Sequence, residues 1–134
     1  MKIKIVSSKE EIETLKSSDK IVHLAFRPSN KDIFNIISSC PGLKAIHIPG
    51  SYKKTLSGSV LMLLSMQSIE LLEGDVWGHR KDLNEFFEVS KESLNLINDL
   101  KARNTPANDI ISLVTLNSKI STDLARFIVD AKSD

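Results

Sequence analysis

The spacing of apolar and polar positions changes along the chain and marks out its elements. Lys2-Ile-Lys-Ile-Val6 alternates with a period of two, the pattern of a strand with one polar face. Lys20-Ile-Val-His-Leu-Ala-Phe26 and Lys44-Ala-Ile-His-Ile48 are apolar on both faces except at His23 and His47, which predicts strands buried on both sides. Ile69 to Glu73 predicts a fourth strand. Helical spacing fills the gaps. Ser8 stands three residues before Glu11, a capping-box pattern that predicts a short helix ending near Lys16. Ser29-Asn-Lys-Asp32 opens a second helix with Ile33, Ile36 and Ile37 on one face, and Ser51 or Thr55 opens a third running to about Gln67. That third helix is apolar most of the way round (Leu56, Val60 to Leu64, Met66), so it should be buried on two sides or lie in a subunit interface.

No strand pattern follows residue 76. Leu83 to Val89 predicts a helical turn or two. Ser90 caps a helix with Leu94, Ile97 and Leu100 in one stripe, Asn104-Thr-Pro106 starts another, and Ser121 caps a last one with Leu124, Phe127 and Ile128. The resulting fold class is α/β, a four-stranded, mostly parallel sheet with flanking helices and an all-helical C-terminal segment. It forms a single domain over 1–134, with a βα sheet portion at 1–78 and a helical portion at 79–134. An alternative architecture comes from a regularity in spacing. Val22-His-Leu, Ile46-His-Ile and Ile69-Glu-Leu recur at intervals of 24 and 23 residues, as in a short leucine-rich-repeat-like βα solenoid.

Composition narrows the function classes. With 41% hydrophobic and 26% charged residues, the chain is that of a soluble globular protein. Eighteen Lys and Arg against 17 Asp and Glu create no strong field toward nucleic acid or membrane. The longest apolar run, Val60 to Leu64, is far short of the ~20 residues that span a bilayer. A single cysteine, Cys40, rules out an internal disulfide framework and suits a reducing compartment, so a cytoplasmic location is expected.

Ser7-Ser-Lys-Glu-Glu11, Val22-His-Leu-Ala-Phe-Arg-Pro-Ser-Asn-Lys-Asp-Ile33 and Leu72-Glu-Gly-Asp-Val-Trp-Gly-His-Arg-Lys-Asp82 resemble a small family of uncharacterised proteins from methanogenic archaea. The resemblance spans nearly the whole chain. It implies a cytoplasmic archaeal protein and brings no activity or catalytic residue with it.

The polar residues offer four chemistries. In open parallel sheets ligands bind beyond the carboxyl ends of the strands, a rim that would gather Arg27, Ser29, Tyr52, Lys53, Trp77, His79 and Arg80. Helix N-termini at Ser8, Ser29 and Ser51 would aim free N–H groups there, which favours an anionic small molecule. Polar βα loops and Ser caps are also what such folds ordinarily carry. Second, His23, His47 and Glu70 stand at matching repeat positions and could ligate a metal on neighbouring strands, although a His in an apolar strand is more often a hydrogen-bonded core residue. Third, Asp75 and His79 could act as orienting carboxylate and acid/base imidazole, but no nucleophile elbow accompanies them; the balance leans away from an enzyme. Fourth, the tail has a helix-turn-helix cadence that would need Lys101, Arg103, Lys119 and Arg126 on one face. Six basic and six acidic residues from Ser90 to Asp134, with Asp123 and Asp130 on the last helix, argue against nucleic acid. No phosphate-loop or dinucleotide-loop pattern occurs and no cofactor is expected. The expected protein is a small binding or regulatory one, with the third helix allowing a homodimer.

Overall fold

The computed structural model describes residues 1–76, 86–118 and 120–131. Its sheet has five strands in the order β4-β3-β2-β1-β5. β1 (Lys2–Val6), β2 (Ile21–Leu24), β3 (Ala45–Ile48) and β4 (Glu70–Glu73) run parallel, each beside its predecessor. β5 (Phe86–Glu88) lies antiparallel to β1 at the far edge. The mostly parallel α/β sheet matches expectation; its size does not. The fifth strand falls where Leu83 to Val89 read as helical turns. Three residues are too short to show a period. They pair because Phe86 comes opposite Lys4, whose ammonium sits 4.9 Å from the ring centroid while its side chain is buried.

Both faces of the sheet are covered, which explains the continuous apolar runs of β2 and β3. A 3-10 helix (Lys9–Thr14), α1 (Asn30–Ser39) and α3 (Gly58–Met66) pack on one face. Ile12, Ile33, Ile36, Val60 and Leu64 meet Val6, Val22, Leu24, Ile46 and Ile48 there. Between β3 and α3 lies one short helix more, α2 (Gly50–Lys53). α4 (Lys91–Ala102), α5 (Ala107–Asn117) and α6 (Thr122–Asp130) cover the other face, where Ile97, Ile110, Val114, Leu124 and Ile128 join Ile3, Ile21, Ala45 and Leu72. Sequential strand order with every crossover on one face is what a βα solenoid would share. The helical tail closes the face that an open solenoid leaves free.

Several local expectations change. The first helix is 3-10 and stops at Thr14; Ser8 precedes it without a side-chain cap, because the Glu11 carboxylate accepts the N–H of Ser7 instead. The third helix divides, with Pro49 before α2 and Ser57 capping α3 through Val60 N–H. α3 buries Val60 and Leu64 only, leaving Leu61, Met62 and Met66 exposed at 44%, 65% and 74%. The third repeat copy also slips. His47 pairs with Leu72, and Glu70 pairs with Ala45. Ser68 adopts a left-handed turn (φ 57°) and Ile69 packs under α3 before the ladder begins, so β4 enters two residues later than the spacing implies.

Candidate functional site

His23 and His47 occupy paired positions on β2 and β3, and both are fully buried. Strand alternation places them on the α4–α6 face, in line with Ile21, Ala45 and Leu72. Their ring centroids are 4.9 Å apart with the planes tilted 46°, and Nδ1 meets Nδ1 at 2.8 Å. Two ring nitrogens this close share one proton, one donating and the other accepting. The remaining nitrogens have different neighbours. His47 Nε2 lies 2.9 Å from Ser121 Oγ, and His23 Nε2 lies 3.4 Å from Asp75 Oδ1. Asp75 is 38% exposed and stands between the strand-end rim and the buried histidine pair, within ion-pair distance of His23 Nε2 but not hydrogen-bonded to it.

Local structure puts each member in place. Gly74 has φ +152°, a conformation that side chains rarely adopt, and a Cβ there would come within 2.9 Å of His47 Nε2 and clash with Ser121. Only glycine lets the strand end pass between the imidazole and the α6 cap and deliver Asp75 to His23. Asp75 also accepts the Val76 N–H at 2.8 Å. Ser121 is the N-cap of α6, accepting the Leu124 N–H at 3.2 Å. Asp123 adds a second tie between α6 and β4 by accepting the Glu73 N–H at 2.7 Å.

The chemistry of this chain follows from its two ends. A carboxylate facing His23 Nε2 favours a proton on that nitrogen, which leaves His23 Nδ1 as acceptor and makes His47 Nδ1 the donor. His47 Nε2 then accepts from the Ser121 hydroxyl. The opposite polarity, with the shared proton on His23 Nδ1, requires His23 to lose its Nε2 proton and His47 to gain one at Nε2, which would then donate to Ser121 Oγ. The state of Asp75 therefore bears on which imidazole nitrogen is protonated beside Ser121. Ser121 is 5% exposed, and its oxygen is committed to Leu124, so it orients the imidazole from a position out of contact with solvent.

The expected rim is brought together in part. The Arg27 guanidinium carbon lies 5.8 Å from the Tyr52 ring centroid, with Lys53 next to Tyr52 in α2 and Tyr52 packed on the α1 side of the sheet. Ser29 caps α1, but in a full capping box. Asp32 receives the Ser29 N–H at 2.9 Å and already places a negative charge at that helix start. Ser51 lies within α2 rather than before it. Trp77, His79 and Arg80 lie outside the described residues. Glu70 stands opposite Ala45 and does not join the histidine pair, and among the described residues no group of three metal-ligand side chains forms.

Ser121 is the site residue that sequence inspection missed. Its spacing shows a helix cap and nothing more, since 74 residues separate it from His47. The buried thiol of Cys40 is a poor nucleophile: burial, with Asp19 adding to it, pushes its pKa up to about 11.

Residues 2–85 match the N-terminal domain of a family of unknown function, DUF1699. The chain belongs to that family. The matched segment holds β1 to β4 with Asp75, His23 and His47, while Ser121 is supplied by α6 beyond it. No curated protein matches the chain, and no solved structure does. No helix among the described residues is long and apolar enough to cross a membrane.

Proposed function

We propose that this DUF1699 chain is a small binding or regulatory protein that takes an anionic ligand at the strand-end rim and passes the event to its helical layer. The observation that carries this reading is the Asp75–His23–His47–Ser121 chain, which links the rim to the α6 N-terminus through two fully buried imidazoles. Arg27, Tyr52 and Lys53 form the cationic half of the rim, over the α1 layer; Asp75 and His23 form the proton-handling half, over the α4–α6 layer. Trp77, His79 and Arg80 remain candidates for recognition by residue type. A cytoplasmic setting and an archaeal origin belong to the same reading, supported by the lone buried thiol and by the resemblance of segments 22–33 and 72–82. So does a homodimer, supported by the exposed Leu61, Met62 and Met66 beside the edge strand β4.

The test is thermal stability against a panel of phosphates, nucleotides and carboxylates, since a ligand of the native state raises the melting temperature by mass action. A rise with an anion is expected, lost in Arg27→Ala. If no anion stabilises the chain, or Arg27→Ala together with Lys53→Ala leaves the shift intact, the rim assignment fails. A second reading has one observation in its favour. Asp75 lies 3.4 Å from an imidazole, that of His23, and an acid/base enzyme would use such a pair. Asp75→Asn would then abolish turnover of a substrate while anion binding at Arg27 persisted.

A further inference from the structure

The end of the molecule opposite the rim has an unusual row of charge. The register that pairs Lys4 with Val22 and Ile21 with Ala45 sets Lys2, Lys20 and Lys44 side by side at the starts of β1, β2 and β3. The Lys44 N–H donates to the Lys20 carbonyl at 2.7 Å, so these two lysines are direct neighbours. Adjacent strands lie about 4.8 Å apart, and like charges directly opposite each other are destabilising. Lys16 joins them from the turn before β2. The two side-chain ion pairs seen among the described residues, Asp75–His23 and Asp99–Arg103, involve none of these four. Glu88 stands opposite Lys2 on β5, and Asp19 is the one acid among the lining residues, its carboxylate tied to the turn by the Lys16 backbone N–H at 2.8 Å.

These lysines, with Ser18 and Asp19, line a cavity of about 620 Å³ whose apolar part is formed by Ile21, Phe127 from α6 and Phe86 from β5, the Lys2 ammonium lying 5.8 Å from the Phe86 ring centroid. That volume falls in the range of about 300–1,000 Å³ typical of small-molecule sites. A bare inorganic anion would answer the charge and leave the aromatic walls wet. An apolar molecule would fill the walls and leave the lysines repelling one another. We propose that this groove binds a monomeric amphipathic anion, a medium-chain carboxylate or phosphate monoester, with its head among Lys16, Lys20 and Lys44 and its apolar body against Phe86 and Phe127. The head relieves the like-charge contact, and the body gains the hydrophobic term. This site is separate from the rim and needs no part of the relay.

The test is displacement of 8-anilinonaphthalene-1-sulfonate, an aryl anion, by decanoate and by decyl phosphate below their critical micelle concentrations. Both are expected to displace it at micromolar levels. The double variant Lys20→Gln/Lys44→Gln should weaken them by about tenfold or more, and Lys20→Arg/Lys44→Arg should restore binding. Lys20 and Lys44 are exposed, so an unchanged melting temperature verifies that the variants fold. Failure of both amphiphiles to bind, or binding indifferent to the Gln pair, overturns the proposal. So does equal competition by inorganic phosphate, which would make the apolar walls irrelevant. Binding only to phosphatidylglycerol vesicles overturns it too, because the lysine row would then be a membrane-facing patch.

Discussion

Two imidazoles that share a proton at 2.8 Å need a neighbour to decide which of them holds it, and Asp75 is placed to do so. Asp75→Asn removes the charge that favours the His23 Nε2–H form. Nitrogen chemical shifts of the two rings should then move toward the opposite or a mixed tautomer; unchanged shifts would show that Asp75 has no such role. Gly74 is the most constrained position in the site. Gly74→Ala combines a strained φ with a clash against Ser121 and His47, and should cost about 2–4 kcal/mol in urea denaturation. A loss under half a kcal/mol would mean that the strand end relaxes freely. Cys40 gives a pH prediction with a definite sign. Its thiol titrates at about 11 in the native chain against 9.0 for an unperturbed thiol, so between those values unfolding releases a proton. Stability is therefore full below pH 9 and falls as pH rises toward 11, by roughly 1 kcal/mol per unit. Cys40→Ala should flatten that slope.

At the scale of elements, α3 and β5 are the two that depart furthest from their patterns. α3 is apolar all round, yet the sheet can cover only one side of it, so Val60 and Leu64 point inward and Met62 and Met66 outward. If that outer face joins two copies, Met62→Lys/Met66→Lys should convert a dimer to a monomer by light scattering without lowering the melting temperature of the monomer. A wild-type chain that is monomeric at high concentration would remove the dimer from the proposed function. The final helix shows the same limit from the other direction. In the fold its Leu124, Ala125, Ile128 and Val129 are buried against the sheet layer, and Lys101 donates to the Ala131 carbonyl just beyond it.

The whole molecule depends on its two unlike halves. The family match ends at residue 85, just before β5, yet α4–α6 cover Ile3, Ile21, Ala45, Leu72 and both histidines. A chain cut after residue 85 exposes that entire face, together with two imidazoles that have lost Ser121. We expect it to lack a cooperative unfolding transition, and a sharp transition in the fragment would show that the tail is an accessory. The first four strands, the Ser29, Ser90 and Ser121 caps and the mostly parallel sheet were legible from the chain because they arise from neighbours a few residues apart. Apolar runs on both faces of β2 and β3 likewise announced a doubly covered sheet. Even His23 and His47 stood out, since polar residues in such strands need partners. Which partners they have was decided only by folding. A two-residue slip in β4 exchanged Glu70 for Leu72 beside His47, Gly74 turned Asp75 back toward His23, and α6 brought Ser121 across 74 residues. Register and helix docking follow from the packing of the whole core, so no local spacing could specify them.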